Sequence, residues 1–317
     1  MIKAFASTGP TASGKTALSL RVAKELSCEI ISCDSMQIYK QMDIGTAKAT
    51  KAEQAMVRHH LIDFLSPSEL FSANAYRDMA LTAAHDVTAR GKTPLFVGGT
   101  GLYLTTLMRA ECTEVPKSDP EYHRAIEDTI KCEADRIALH ERLRTVDPES
   151  AELTHYNNVR RVIRALEIYD ATGKPKTYFD KLSRRPSADI SVKHVTLDFH
   201  DRDTLYRRAD ERVDAMLEAG LLDEVKHLLN SGMLKENYTS AQAIGYKEII
   251  KAINGTVSLG EAVEELKQAT RNYAKRQLTW FRHDESATKL WVDGEDGKPR
   301  CTDELFAECI SIFKETI

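Results

Sequence analysis

Gly9-Pro10-Thr11-Ala12-Ser13-Gly14-Lys15-Thr16 decides how this chain is read. The stretch fits G-x-x-x-x-G-K-[ST] at every position. Gly9 and Gly14 let the backbone turn into a nest of N–H groups aimed at phosphate oxygens, and the helix that follows adds its positive end. Lys15 supplies a point charge for the terminal phosphate, and the Thr16 hydroxyl suits Mg2+. A short strand, 2–7, leads in. Behind the loop Leu18, Val22, Ala23 and Leu26 recur at helical spacing. Strand, loop and helix are the context the motif requires.

Outward from the loop, 29–33 and 94–97 read as buried parallel strands, with a helix around 73–89 between them. This alternation predicts an α/β class: a P-loop NTPase-like parallel sheet flanked by helices. From Asp119 to about Leu182 the chain turns charged and helical, at 125–132, 134–143 and 158–172, punctuated by Pro116, Pro120, Pro148 and Pro175. A strand resumes at 192–199, followed by helices at 205–219, 221–231 and 259–281. The expected organisation is a catalytic core, 1–115 and 186–317 with its C-terminal helices, interrupted by a helical insertion domain at 116–185.

The bulk numbers exclude several classes. The 317 residues suffice for one large core or two domains. No apolar run approaches the roughly 20 residues that span a bilayer, so no membrane is expected. The N-terminus runs straight into the loop, which leaves no room for a signal peptide. The six cysteines are scattered without a CxxC pair and read as reduced thiols of a cytoplasmic protein. The net charge of −4 excludes a molecule that is basic throughout. Basic surface is local: residues 158–185 carry eight Lys/Arg against three Asp/Glu, centred on Arg160, Arg161 and Arg164.

A P-loop does not say what is done with the phosphate. A nucleotidase also needs an acid at the end of a neighbouring strand for Mg2+. The strand at 94–97 instead ends in Gly98-Gly99-Thr100-Gly101. The nearest strand-end acid is Asp34, followed by Ser35, Met36 and Gln37, which suit a polar ring. On residue chemistry alone, Asp34 reads equally well as a Mg2+ ligand or a general base.

Nine motifs then fall in one order along the chain: GPTASGKT (9–16), DSMQIYK (34–40), DIGTAK (43–48), HHLID (59–63), PLFVGGTGLYL (94–104), RRVIRALEIY (160–169), LYRRADERVDAML (205–217), AIGYKEI (243–249) and TRNYAKRQLTWFR (270–282). In these the chain closely resembles tRNA dimethylallyltransferases of the bacterial type. It departs from their pattern at Arg58, where Pro is frequent, and in a polar first strand.

The resemblance implies transfer of the dimethylallyl group of dimethylallyl diphosphate to N6 of the adenosine 3′-adjacent to the anticodon, with Mg2+ as cofactor. The loop Gly9, Pro10, Thr11, Ala12, Ser13, Gly14, Lys15 and Thr16 would grip the leaving diphosphate, with Thr16 on the metal. Asp34 becomes the catalytic base, and Ser35, Met36 and Gln37 line the adenine pocket. Arg208, favoured over Arg212, would stabilise the diphosphate. Thr100, with Leu102 and Tyr103, faces tRNA. So do Tyr122, Asn158, Val159, Arg160, Arg161 and Val162, on a domain that contacts the anticodon stem-loop of a base-flipped tRNA. His59 and His60 read as structural, and the protein as a monomer. A P-loop small-molecule kinase and an adenylate isopentenyltransferase are the rival readings, separated by whether the product carries a phosphate or a prenyl group, and on which acceptor.

Overall fold

The computed structural model describes residues 1–112 and 114–315. Two compact units emerge, Met1–Met108 with Asp189–Ile317, and Arg109–Ala188. Thr113, Thr316 and Ile317, which fall in the expected core range, lie outside the described residues. The helical unit is wider than 116–185 at both ends. Arg109 and Pro186 form an antiparallel bridge, and Ala110 N–H donates to Arg185 O.

The first unit opens with β1 (Ile2–Thr8), α1 (Lys15–Glu25), β2 (Cys28–Ser32), α2 (Lys51–Met56), β3 (His59–His60), α3 (Ala73–Ala89), β4 (Thr93–Gly98) and α4 (Gly101–Met108). The helical unit holds α5 (Pro120–Glu127), α6 (Glu133–Val146), α7 (Pro148–Leu153), α8 (Val159–Thr172) and α9 (Lys176–Ser183). The first unit resumes with β5 (Ile190–Asp198), α10 (Arg202–Glu218), α11 (Leu221–Asn230), α12 (Tyr246–Ile253), α13 (Leu259–Arg282), β6 (Ala287–Trp291) and α14 (Thr302–Lys314).

The strands form one sheet in the order β3-β2-β4-β1-β5-β6, every neighbouring pair parallel. Its strands are apolar on both faces, as a doubly covered parallel sheet requires. Phe5, Ile30, Leu95 and Val195 join the core under α1 and α14. Their neighbours Ala4, Ala6, Ile31 and Phe96 join the core under α3 and α4. Phe313 of α14 stacks on Phe5 with ring centroids 4.5 Å apart. The polar end of β1 is buried rather than solvated. Thr8 Oγ1 lies 2.6 Å from both His194 Nε2 and Thr196 Oγ1 on β5, so cross-strand hydrogen bonds offset its lack of apolar area. A third core joins α10 to α13 with Ile38, Tyr39 and Met42 of the loop after β2.

The helical unit packs Leu143, Ala151, Val162, Ala165 and Leu166 into its own core. Its first helix is not the expected 125–132. α5 starts at Pro120, with the Asp119 carboxylate accepting Glu121 N–H. α7 likewise starts at Pro148 behind Asp147, and α9 directly after Pro175. Prolines read as breaks are helix starts here, because the first turn has no use for a backbone N–H.

Candidate active site

Three strand ends meet on one edge of the sheet. β1 runs into the P-loop, β4 into Gly99 and Thr100, and β2 into Cys33 and Asp34. The register pairs Thr8 with Gly98 and Ser32 with Val97, so all three ends lie level. Ligands of open α/β sheets bind at this carboxyl edge.

The loop geometry follows from its glycines. Gly9 has φ 142°, and a Cβ there would come 2.8 Å from Leu197 O. Gly14 has φ 88° and caps α1 without any side-chain acceptor, so first-turn N–H groups of α1 are free for an anion. Lys15 Nζ donates to Pro10 O at 2.6 Å. Burial, with Arg212 nearby, lowers its pKa to about 7 against a counter-pull from Asp34. Thr16 is exposed on the cavity wall. Thr11 N–H is already engaged by Gln277 Oε1 at 2.8 Å. That leaves the Thr11 side chain, which lines the cavity.

Asp34 Oδ1 accepts the N–H groups of Met36 and Gln37 at 2.9 and 3.3 Å, which orients the carboxylate. Thr100 Oγ1 accepts Ser35 N–H at 3.0 Å. The Gln37 amide donates to Thr46 O and Ala47 O, so its polar end holds a neighbouring loop. That loop is the DIGTAK stretch. Its Lys48 is buried on Asp43, Asp63 and Tyr39 O, and its N–H groups at Asp43, Ile44 and Gly45 cap the Glu224 carboxylate.

A cavity of about 680 Å3 joins the P-loop to Asp34–Gln37. Lys15, Arg212, Lys247 and Arg276 face it against Asp34 and Glu53. Of the two candidate arginines, the cavity takes Arg212. Burial lowers its guanidinium from the ordinary value, opposed by Asp34. Arg208 sits beside the loop at Gly14, its guanidinium 5.8 Å from the Phe199 ring. Tyr273 and Gln277 of α13, and Gln242, Ile244 and Lys247 around the AIGYKEI stretch, also line the cavity. The motifs containing most of them were visible in the sequence, but nothing in their spacing gave these side chains a task.

Other expected residues divide clearly. Thr100 stands at the Asp34 end, and Leu102 is exposed, but Tyr103 is core and stacks on Tyr76 at 4.1 Å. His60 Nε2 is held by Glu29 at 2.7 Å and His59 Nδ1 by Val57 O at 2.7 Å. In the helical unit, Asn158 caps α8 with no side-chain bond, and half-buried Val159 with exposed Arg160 and Arg161 forms its first turn. Val162 is fully buried, so its side chain cannot touch RNA. Arg164 is not a free cation either: it donates to Pro116 O and Glu167 at 2.5 Å. Tyr122 donates its hydroxyl to Asp170, which Arg142 also holds. On α13, Arg271 is paired with Asp210 and Arg282 with buried Asp198.

The family model described as IPP transferase matches residues 37–284 of the chain. The chain belongs to the IPP transferase family. It is 43% identical over 286 residues to the tRNA dimethylallyltransferase of Thermoanaerobacter sp. (strain X514), covering 90% of each chain. It is 48% identical over 276 residues to the tRNA dimethylallyltransferase of Geobacillus thermodenitrificans, covering 87% of this chain and 86% of the relative. Among solved structures, the tRNA delta(2)-isopentenylpyrophosphate transferase of Staphylococcus epidermidis matches over 100% of both chains, with TM-score 0.71 and 37% identity. A eukaryotic dimethylallyltransferase acting on tRNA matches with TM-score 0.75 and 30% identity, over 92% of this chain and 74% of its own. Among the described residues no cluster of three or more His, Cys, Asp or Glu could hold a metal, and no helix is long and apolar enough to cross a membrane.

Proposed function

We propose that this member of the family is a tRNA dimethylallyltransferase. It moves the dimethylallyl group of dimethylallyl diphosphate to N6 of the adenosine 3′-adjacent to the anticodon and releases diphosphate. The observation that carries this reading is one cavity shared by a P-loop and the oriented carboxylate of Asp34. The C1–O bond of the allylic diphosphate breaks, a C1–N6 bond forms, and the amine proton passes to Asp34. Lys15, Arg212 and the first turn of α1 take up charge on the departing diphosphate. Arg212 replaces Arg208 in that role because it faces the cavity. Ser35, Met36 and Gln37 border the space for the adenine, and Thr100 holds Ser35 in place.

Mg2+ fits as a cofactor of this site: the Thr16 hydroxyl makes no hydrogen bond among the described residues and lines the cavity. One hydroxyl with phosphate oxygens and water satisfies its preferred coordination, and the ion would neutralise diphosphate charge. The first turn of α8, with Asn158, Val159, Arg160 and Arg161, is offered to the anticodon stem-loop, as is Tyr122, whose hydroxyl meets Asp170 towards the other end of α8. The enzyme acts as a cytoplasmic monomer. The test is incubation with dimethylallyl diphosphate and either unmodified tRNA or AMP, followed by mass spectrometry of the nucleosides. Isopentenyladenosine in tRNA supports the reading. Prenylated AMP alone means an adenylate isopentenyltransferase, and phosphorylation of an acceptor by ATP means a kinase.

A further inference from the structure

Gln277 is 5% exposed, in the last third of α13, the longest helix among the described residues, and it lines the cavity. Each end of its amide makes one hydrogen bond to backbone. Oε1 accepts Thr11 N–H at 2.8 Å, and Nε2 donates to Gly99 O at 2.9 Å. The orientation is forced by chemistry, since a backbone N–H can only donate and a carbonyl can only accept. One side chain from α13 thereby spans the P-loop after β1 and the loop after β4. The next residue, Thr100, accepts Ser35 N–H through Oγ1, and Ser35 follows Asp34 directly. An unbroken series of bonds leads from the phosphate end of the cavity to its carboxylate end.

Gly99 is built around this amide. A Cβ at that position would lie 2.2 Å from Gln277 Nε2. The fixed end of the strut is equally firm. Five residues on, Arg282 locks α13 to Asp198 and Phe199 O. On the same helix Tyr273 and Arg276 face the cavity.

We infer that Gln277 is a positioning residue that sets the separation of the P-loop from the Thr100–Asp34 loop, and so the alignment of the leaving group with the base. The inference rests on the prenyl-transfer reading of this cavity. In-line displacement is sensitive to such alignment: a shift of about 1 Å can cost roughly 10²-fold in rate.

Gln277→Glu is the diagnostic variant. Its ionised carboxylate still accepts Thr11 N–H but sets an acceptor against Gly99 O. Once protonated, its hydroxyl donates to Gly99 O and both bonds return. The single-turnover rate of Gln277→Glu relative to wild type should fall by about 10²-fold at neutral pH and recover as pH drops, by up to about tenfold per pH unit while the new carboxyl titrates. The tRNA Kd should stay at the wild-type value. Gln277→Met, which removes both bonds and keeps the volume, should be slow at every pH with no recovery. A flat ratio for Gln277→Glu across pH, or a near-native rate for Gln277→Met, overturns the inference. If Gln277→Glu does not fold, Gln277→Met decides alone. If wild type itself makes no isopentenyladenosine, the functional reading fails separately. Calorimetry with inorganic diphosphate then decides for Gln277: weaker binding by Gln277→Met retains the loop-spacing role, and unchanged binding removes it.

Discussion

The cavity at the sheet edge and the first turn of α8 both attract attention as basic sites, but they are built in opposite ways. In the cavity, Lys15 and Arg212 stay without an acidic side-chain partner within salt-bridge distance among the described residues, and burial depresses both. In residues 158–185 most cations are answered locally. Arg164 is tied to Glu167, Lys176 to Asp180, Lys181 to Glu149 and Lys174 to Glu114. Only the exposed Arg161, Arg184 and Arg185 carry no ion pair among the described residues, and Arg160 holds Glu127 at 3.4 Å while 87% exposed. A charge excess counted along a chain thus overstates what a partner meets. A few unanswered cations in a partly closed site matter more, because desolvation strengthens each of them.

Removing the acid of the cavity should have the largest effect. Asp34→Ala is expected to cost about 10²–10⁴-fold in single-turnover rate, the usual range for a general base, with unchanged tRNA affinity by filter binding. Near-native turnover would sink the base assignment. Next comes the pair of arginines. Arg212→Ala should lower kcat/KM for dimethylallyl diphosphate by about 10²-fold, in line with loss of one preorganised charge at a developing anion. Arg208→Ala should cost distinctly less, and the reverse order would return the role to Arg208.

Lys15 makes the contrast pH-dependent. Its folded pKa of about 7 lies below the ordinary 10.5, so the folded state binds fewer protons than the unfolded one between these values. The penalty for its charge is full below about 7 and vanishes as pH rises through 10.5. Lys15→Met should therefore raise the ligand-free Tm most at low pH. A bound diphosphate favours the charged form, so wild-type affinity should fall as pH rises above about 7, more steeply than that of Lys15→Met. Parallel pH profiles in calorimetry would contradict the lowered pKa.

The smallest effects belong to the helical unit. Arg160→Ala with Arg161→Ala should make tRNA binding less salt-dependent, by up to about 0.7 in the log–log slope per lost phosphate contact, without a change in Tm. Arg164→Ala should do the opposite: a lower Tm with an unchanged salt slope. If Arg164→Ala flattens the slope while the double variant does not, the two classes of arginine have been assigned the wrong way round.

What could be read from the sequence was what the backbone itself dictates. The P-loop was legible because its phosphate nest needs glycines at fixed spacing, and α3 because Ser72 caps an apolar helical period that runs to Ala89. Two-residue β3 and the half-exposed β6 carry too little pattern to stand out. The site was legible where function is local, as in Asp34 and the residues that follow it. It was not legible where partners are remote: Gln277 meets Thr11 across 266 positions, and only the folded helix shows which face of α13 is inward. Val162 and Tyr103 are buried for a related reason: a motif read from sequence does not separate exposed side chains from those that hold the motif in place.

In this reading the P-loop holds a leaving group for chemistry directed by Asp34. The most direct measurement is a single-turnover reaction of enzyme, tRNA and dimethylallyl diphosphate in which isopentenyladenosine and released diphosphate are counted together, for wild type and for Asp34→Asn. Wild type should release one diphosphate for each isopentenyladenosine, and Asp34→Asn should give neither product above background. Diphosphate released at the wild-type rate by Asp34→Asn, or phosphate released from ATP with no prenyl group on tRNA, would contradict it.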